Sequence, residues 1–414
     1  MKNKIIIQTP IIKENQLVCK YTVEGEWKKA FSSKREFVAE YNIDISDVPA
    51  GIAVVPLLAN ILPMAWVYDA EIDLPVCDED FYKSIPEFKK GYEEMYPMMD
   101  LKGNIQVEQI QKNVLQRAKE SGAFFSGGVD AFNTLVCHEK EKPVLLTVWG
   151  ADVKLDDEMG WKNVFSHLKE TAKEFHTEYV TIKSNFRMIQ KEDELTRVVE
   201  KSGDGWWHGF QHGIGIICHA APVAYKMGLS KVYFASSFTA ADKGKVTCAS
   251  DPTIDNYVRF CGTKIVHDGY EFNRQMKVHN ITEFAKKTGK KIPLRVCWES
   301  TGGSNCCNCE KCWRTILAIY AERQDPRNYG FNYSDFGRLC SKIYGNRKKL
   351  KHHRESRYEP IQKLLRENYT LDNIEPNLKW FYKIRIDKLG EMPVWYRGCH
   401  FVYRRIKNVL KKKL

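Results

Sequence analysis

Two short stretches of the sequence carry residue types that suit a binding site. The first is Ser126-Gly127-Gly128-Val129-Asp130, which follows the apolar residues Ala123-Phe124-Phe125. We expect the apolar residues to end a buried strand and Asp130 to lie in the first turn of a helix. Two adjacent glycines let the backbone approach a ligand closely, and the N-terminus of a helix attracts negative charge. This stretch therefore predicts an anion site, such as a site for phosphate.

The second stretch is a cysteine cluster with the spacing C-x8-C-x2-C-x2-C, formed by Cys297, Cys306, Cys309 and Cys312. The chain has thirteen cysteines, and those outside residues 297–312 are scattered, which argues against a disulfide framework. Four thiolates can complete a tetrahedral shell around Zn²⁺, and such a closed site is structural. Cys307 could exchange with Cys306 as a ligand. An iron–sulfur cluster and free thiols are the alternatives to zinc.

The sequence around both stretches predicts an α/β fold with a doubly wound, parallel, five-stranded sheet. From about residue 105, apolar strands alternate with helices, a pattern typical of a parallel sheet that is covered on both faces. Such sheets bind ligands beyond the carboxyl ends of their strands. The predicted strands are 123–126, 144–148, 179–183, 232–236 and 294–297, and the predicted helices of this part include 105–119, 161–175, 208–227 and 272–287.

Residues 1–115 lack this alternation and predict an accessory α+β domain of unknown use. Strands are expected at 5–12 and 16–23, and a helix at 80–96. Residues 51–66 are strongly apolar but interrupted by Pro56 and Pro63, so we expect buried strands and turns there. The predicted organisation is an accessory domain at 1–115, a nucleotide-binding domain at 116–296, a four-cysteine zinc module at 297–330 and a basic helical region at 331–414.

The stretch Ser126–Asp130 resembles the PP-loop of the adenine nucleotide alpha-hydrolase superfamily, usually written Ser-Gly-Gly-x-Asp-Ser. Members of that superfamily cleave ATP between its α and β phosphates, adenylate a carbonyl oxygen and release pyrophosphate. The resemblance implies that residues 126–130 hold the pyrophosphate end of ATP, and that Val148 and Trp149 lie near the adenine. Ala131 replaces the final Ser of the motif. A hydrogen bond to a charged group is worth about 1.5–3 kcal/mol, so this loss would weaken phosphate binding.

The PP-loop and the later cysteines together are similar to the 7-cyano-7-deazaguanine synthase family, over about residues 122–320. That family converts a carboxylate to a nitrile by adenylation and attack of ammonia. The resemblance implies an ATP-dependent adenylating ligase or amidotransferase-like enzyme, in which Asp130 and Asp255 orient Mg²⁺ or the nucleophile and Zn²⁺ binds the four cysteines. It does not imply the acceptor substrate, because the N-terminal domain and the basic tail are not part of that family.

Two other functions stay open from the sequence. Some PP-loop enzymes thiolate tRNA through catalytic cysteines, and here only the scattered Cys137, Cys218, Cys248 and Cys261 could serve, without a convincing pair. The other alternative is a catalytically weak nucleotide-binding partner in an assembly, such as a surface-polysaccharide or defence pathway, which Ala131 favours.

Three histidines, His208, His212 and His219, open a predicted helix. The first two are four residues apart and therefore lie on one helical face. A metal site is conceivable, but no third ligand is evident. We expect these histidines to lie near the nucleotide or to pack in the core.

The net charge of +12 is concentrated at the C-terminal end, where residues 379–414 hold eleven Lys or Arg and two Asp or Glu. Interleaved aromatic residues suit binding to an anionic membrane surface or to nucleic acid. A helix docked on its own protein is the alternative. The sequence has no apolar run of transmembrane length and no signal-peptide pattern near residue 1, so we expect a cytosolic protein, peripheral at a membrane if the tail binds one.

Overall fold

The computed structural model describes residues 2–115, 119–297, 299, 303–351 and 354–391. Within these ranges the chain is an α/β protein built on one sheet, which confirms the predicted class. The described residues form twelve strands: β1 Lys4–Ile7, β2 Ile11–Lys13, β3 Gln16–Glu24, β4 Glu36–Tyr41, β5 Glu71–Asp78, β6 Asn104–Gln111, β7 Lys119–Phe124, β8 Val144–Trp149, β9 Tyr179–Ser184, β10 Leu229–Ala235, β11 Arg259–Phe260 and β12 Thr263–Asp268.

The helices cover both faces of this sheet. Those of the described residues are α1 Ala50–Ala53, α2 Val55–Tyr68, α3 Glu79–Met95, α4 Val129–Cys137, α5 Glu158–Glu174, α6 Glu192–Val198, α7 His212–Ile217, α8 Ala220–Met227, α9 Pro252–Asp255, α10 Arg274–Thr288, α11 Glu310–Ala321, α12 Phe336–Gly345, α13 Arg354–Asn368 and α14 Lys379–Lys383. A π-helical turn, Trp207–Gln211, precedes α7. Within the described ranges, none of these helices has both the length and the apolar character needed to cross a membrane.

The strands lie in the order β11-β12-β10-β7-β8-β9-β4-β3-β1-β5-β6, and β2 pairs with β3. Five neighbouring strands, β12, β10, β7, β8 and β9, are mutually parallel. The chain runs outward from β7 through β8 to β9, and outward on the other side from β10 to β12. Since ligands in such sheets bind where the strand order changes direction, the carboxyl ends of β7 and β10 are the expected site.

The predicted five-stranded sheet is too small, and the prediction misplaced its fifth strand. Residues 294–297 form no strand, because the N–H groups of Leu294 and Arg295 donate to loop carbonyls at Tyr329 (3.0 Å) and Gly127 (2.7 Å). The outer parallel strand is β12 instead, which pairs with β10.

The N-terminal strands extend the same sheet across the predicted boundary at residue 115. Strand β4 pairs antiparallel with β9, with Ala39 opposite Ser184. Apolar residues from both sides of that boundary, including Trp27 and Phe210, share one buried cluster. A second buried cluster, with Phe132 and Trp313, covers the opposite face. Phe124 and Phe125 belong to different clusters, as expected for neighbouring residues at the end of a strand.

Three local predictions were wrong. Residues 51–66 are helical in α1 and α2, where Pro56 occupies the first turn, a position that needs no backbone donor. Residues 104–111 form β6 rather than a helix, because their alternating apolar residues face the core from an edge strand beside β5. The predicted helix 208–227 is broken into the π turn, α7 and α8. The predicted helices 80–96, 161–175 and 272–287 correspond to α3, α5 and α10.

Candidate functional site

The predicted glycine turn lies directly after β7 and opens α4. Gly127 has φ of +77°, a left-handed conformation that favours glycine. A Cβ atom at this position would lie 2.7 Å from Cε1 of His167, so the neighbour also excludes a side chain. Gly128 is the N-cap of α4, and no side chain caps this end of the helix. The N-terminus of α4 is therefore free of a competing side chain and suited to an anion.

The other residues of the turn divide between solvent and core. Ser126 is exposed, and its Oγ accepts a long hydrogen bond of 3.4 Å from the Gly128 N–H. Val129 and Ala131 are buried in the apolar cluster of that face. Of these side chains, only the Ser126 hydroxyl is placed to reach a bound ligand.

Asp130 forms a partly buried ion-pair network with the first turn of α10. Its carboxylate lies 2.6 Å from Nη1 of Arg274 and 3.1 Å from Nζ of Lys277. The Lys277 ammonium also donates to the backbone oxygen of Ser236, directly after β10, at 2.5 Å. Burial opposes ionisation of Asp130, but the two cations outweigh it and hold the pKa of this carboxyl well below its usual range. Asp130 thus ties together the carboxyl ends of β7 and β10.

Two further cations come from α11, and one of them has a carboxylate partner, since Nη1 of Arg314 lies 3.5 Å from Glu310. Burial, and then the positive charge of Arg274, lowers the pKa of both Lys311 and Arg314. These two causes bring the pKa of Arg314 to about 10. Among the described residues, the buried Nε atoms of Arg274 and Arg314 have no hydrogen-bond partner. Because buried donors are nearly always satisfied, these two indicate a missing acceptor such as a phosphate oxygen.

Arg295 connects the glycine turn to the cysteine cluster. Its guanidinium donates to the backbone oxygen of Ser126 at 2.8 and 3.1 Å, and its own N–H donates to Gly127 O at 2.7 Å. Cys297 follows two residues later. The backbone that holds the turn is therefore continuous with the first cysteine.

The four predicted cysteines come together at one point. Their Sγ atoms all lie within 4.8 Å of one another, with 3.7 Å between Cys297 and Cys309 and 3.9 Å between Cys306 and Cys312. Sulfurs bound at about 2.3 Å to a tetrahedral zinc are about 3.8 Å apart. The group could thus bind a metal such as zinc. Cys307 is not part of this four-cysteine group, and its Sγ lies 3.9 Å from the backbone oxygen of Asn305.

Asn305 and Trp313 hold residues 305–312, called here the cysteine knuckle, in place by hydrogen bonds to neighbouring backbone. Asn305 accepts from Val296 N–H at 2.9 Å and donates to Leu294 O at 2.7 Å. The fully buried Trp313 donates from Nε1 to Cys307 O at 3.0 Å. Both contacts are typical of the supporting shell that orients metal ligands.

The residues predicted to face the adenine lie one strand away, at the end of β8. Trp149 stacks on Trp161 with ring centroids 5.1 Å apart, and Nζ of Lys183 lies 4.7 Å from the Trp149 ring centroid. The Nε1 atom of Trp149 donates to the backbone oxygen of Lys154 at 2.8 Å. Val148 is buried. Trp149 is thus a fixed aromatic surface beside the glycine turn, although no hydrogen bond or ring contact between the two is found in the described residues.

Asp255, the second predicted catalytic carboxylate, belongs to a different network from Asp130. It is fully buried, and its Oδ2 lies 2.8 Å from Nδ1 of His267 and 2.8 Å from the Ser250 hydroxyl. Burial raises the pKa of Asp255, while His267 opposes the shift. Its Oδ1 is buried without a partner among the described residues.

The three predicted histidines have different environments. His219 is buried, bonds Gly215 O and the Ser184 hydroxyl at 2.8 Å each, and burial lowers its pKa to about 4. His208 is half exposed, and its backbone oxygen accepts from the N–H of Ala249, the neighbour of Cys248; the charges of His208 and His212 lower the pKa of Cys248. Sequence spacing could not pair Cys248 with either histidine, because about forty residues separate it from them.

The sequence matches no protein-family model, and a search of curated proteins finds no significant match. Function is therefore inferred from the geometry of the glycine turn and the residues around it. Of the basic tail predicted at 379–414, residues 379–391 are described and pack on the second buried cluster through Phe381 and Leu389. Residues 392–414 lie outside the described residues, and the role of the tail stays a prediction.

Proposed function

We propose that this protein is an ATP-dependent adenylating ligase of the PP-loop class, similar to an amidotransferase, which activates a carboxylate or carbonyl as an acyl-adenylate and releases pyrophosphate. The observation that carries the proposal is the glycine turn at the change of strand direction, beside two buried arginine Nε donors without partners among the described residues. A polyphosphate has enough oxygens to accept from the helix N-terminus and from both arginines at once.

Each residue then has a defined task. The N–H groups after Gly128 and the cations Arg274 and Arg314 would bind the departing pyrophosphate and stabilise its charge. Both oxygens of Asp130 already have cationic partners, so we propose that Asp130 positions Arg274 and Lys277, while Mg²⁺ enters with the nucleotide. Trp149, whose ring already contacts Trp161 and Lys183, would lie near the adenine. Zn²⁺ at the four cysteines would fix Arg295 and, through it, the turn.

The test is product analysis. ATP would be incubated with the zinc-loaded chain, Mg²⁺, ammonium and a panel of carboxylic acids, and nucleotides would be separated chromatographically. The proposal expects AMP and pyrophosphate in equal amounts. ADP and inorganic phosphate as products, or intact ATP binding that never yields AMP, would count against it.

Two buried arginines provide a matched pair for this test. Arg314→Met removes a guanidinium whose Nε has no partner among the described residues and whose Nη1 lies 3.5 Å from Glu310, so it should abolish AMP formation and also cost some stability through the lost ion pair. Arg347→Met removes a buried arginine whose Nε and Nη1 donate to Glu391 O and Tyr344 O. That control should destabilise the fold and leave pyrophosphate release per folded molecule unchanged. Equal effects of both variants on turnover would make Arg314 a structural residue.

A further inference from the structure

A cysteine from the loop that follows β10 lies next to a histidine and an aspartate from the segment that precedes α7. Asp204 Oδ1 lies 2.9 Å from Nδ1 of His208. Cys248 is 6 % exposed, and both of its chain neighbours contact the other two residues: Ala249 donates its N–H to His208 O, and Thr247 donates its hydroxyl to Asp204. A thiol next to a histidine that is oriented by a carboxylate is the arrangement of a nucleophile with its base.

The aspartate is held in place independently of the histidine. Its Oδ2 accepts from the Tyr96 hydroxyl at 2.8 Å and also from the Thr247 hydroxyl. Thr247 directly precedes Cys248, so this bond also fixes the loop that carries the thiol. Asp204 thus has one oxygen for support and one for His208, as an orienting carboxylate requires.

The backbone around the thiol is packed too closely to be a loose surface loop. The Ala249 N–H donates to His208 O at 2.8 Å. A Cβ on Gly213 would lie 2.3 Å from Ala249 O, and a Cβ on Gly209 would lie 2.7 Å from the Tyr96 hydroxyl. Both glycines belong to the π turn and α7, and π turns occur frequently at functional sites.

The charges around the thiol favour a thiolate–imidazolium pair. Burial alone would raise the pKa of Cys248, but His208 and His212 lower it to about 7. The Asp204 carboxylate and then the Cys248 thiol raise the pKa of His208 to about 10. The charges of Asp152 and Asp255 also raise the pKa of His212. The Asp204 carboxylate in turn accepts a hydrogen bond from the Tyr96 hydroxyl. The two histidines therefore favour the thiolate form of Cys248 near neutral pH.

This group lies at the same edge of the sheet as the glycine turn. The loop from Ser236 to Cys248 begins at the Ser236 oxygen that accepts from Lys277, the partner of Asp130. The ring of Phe238, in that loop, lies 6.2 Å from His208. Asp152, which follows β8, acts electrostatically on both His212 and Arg295. An acyl group activated at the turn would thus be at the same edge of the sheet as the thiol.

We propose that Cys248 is a nucleophile that receives the acyl group from the adenylate as a thioester, with His208 as its base and Asp204 as a positioning residue. This inference rests on the proposed function. The acceptor class is then a carboxylic acid that passes through an enzyme-bound thioester before an amine or ammonia attacks it.

Both chemical steps balance in atoms and electrons. The Cys248 thiolate attacks the carbonyl carbon, a carbon–sulfur bond forms, the carbon–oxygen bond to phosphate breaks, and AMP leaves with the electron pair. Without the thiolate beside it, the His208 imidazolium gives its proton to solvent. The amine then attacks the thioester, a carbon–nitrogen bond forms, the carbon–sulfur bond breaks, and the thiolate is restored while His208 takes the proton from nitrogen.

The first part of the test detects the thiolate without any nucleotide. The ultraviolet absorbance of the thiolate would be compared between the zinc-loaded wild type and Cys248→Ser across the pH range around neutrality. The difference should titrate near pH 7, at about the pKa of Cys248. With His208→Ala it should move toward the ordinary thiol pKa of about 8.5, which lowers the thiolate at neutral pH about tenfold. Cys137→Ser is the control, because burial raises the pKa of Cys137 to about 11.

The second part supplies acetyl-AMP as a ready-made adenylate, so that ATP binding is not needed. Mass spectrometry should find an acetyl group on Cys248, and hydroxylamine should remove it. The acetyl group should be absent in Cys248→Ser. In His208→Ala it should form about tenfold more slowly, in proportion to the lost thiolate. A thiolate at Cys248 that is never acylated would overturn the inference and leave the proposed function standing. Acylation of Cys248 in a chain that does not bind ATP would refute the proposed function alone. A second zinc per chain, lost with Cys248→Ser, would make this group a metal site and overturn the inference.

Discussion

Among single residues, Asp130 holds together three parts of the candidate phosphate site: α4, α10 and the end of β10. Its two cationic partners give it a pKa well below the usual carboxyl range. A carboxyl whose pKa is depressed on folding stabilises the protein above its unfolded pKa, and this stabilisation is lost as the pH falls through the folded value. The contribution of Asp130 is therefore fully present at neutral pH and disappears only in strong acid.

Replacing Asp130 with Asn should lower the free energy of unfolding at neutral pH by about 3 kcal/mol, because two largely buried cations lose their partner. The difference from wild type should shrink as the pH falls below about 4, where the wild-type carboxylate itself begins to protonate in the unfolded state. Denaturant unfolding at several pH values measures both effects. Asp387→Asn, which removes an exposed pair with Arg385, should change little and serves as the control. A pH-independent difference would mean that Asp130 is not an ion-pair centre.

Between elements, residues 294–297 connect the cysteine knuckle to the glycine turn by hydrogen bonds. The Arg295 N–H bonds Gly127 O, and the Asn305 side chain bonds the backbone of Leu294 and Val296. A metal bound by the four cysteines would hold this segment at its far end. Loss of the metal should therefore also loosen the hydrogen-bonded backbone of the glycine turn.

We expect about one zinc per chain from a closed four-thiolate shell. Chelation, or Cys309→Ala, should remove it and raise amide hydrogen exchange at residues 126–132 as well as in α11. Elemental analysis and hydrogen-exchange mass spectrometry measure the two effects. Cys307→Ala is the matched control, since its sulfur lies outside the metal-binding group, and it should retain the metal. Iron in place of zinc, or an unchanged turn after metal loss, would contradict this account.

The sequence predicted local features well and distant ones poorly. The turn at Ser126–Gly128 and the four cysteines follow from residue type and short spacing, and both were found at the predicted positions. Arg274 and Arg314 were not predicted beside the turn, and Cys248 was named only as a scattered cysteine without its histidine neighbours. Only the packing of α10, α11 and the loop after β10 brings these residues to their places. The helix at 51–66 was not predicted because proline disfavours helix interiors, whereas Pro56 lies in the first turn of α2 and α2 contains Pro63 in its interior.

In the molecule as a whole, the N-terminal residues complete the sheet and the core of one face. Strand β4 joins β9, and the Asn185 side chain connects them by accepting from the Val38 N–H at 2.9 Å and donating to Glu36 O at 3.1 Å. The buried cluster on this face contains Trp27 as well as Phe210. A chain without residues 1–115 would expose this apolar face and the edge of β9.

We therefore expect the whole chain to unfold in one calorimetric transition, and a chain that begins at residue 116 to lack a cooperative transition. Asn185→Ala should lower the temperature of the single transition without splitting it. Two resolved transitions, one of which persists in the shortened chain, would instead show that residues 1–115 form an independent domain.

The proposed function depends above all on the glycine turn binding the phosphates of ATP, and a binding titration with two glycine variants tests this. Gly127→Ala and Gly289→Ala both place a Cβ on a left-handed residue, at φ of +77° and +70°, and should each cost about 1–2 kcal/mol of stability. Only the Cβ at residue 127 meets a neighbour, whereas nothing lies within 4 Å at residue 289. Calorimetric titration of the zinc-loaded chain should show that wild type and Gly289→Ala bind MgATP, that pyrophosphate competes, and that Gly127→Ala binds neither. A folded wild type that binds no ATP, or a Gly127→Ala variant that binds it as well as wild type, would refute phosphate binding at the turn.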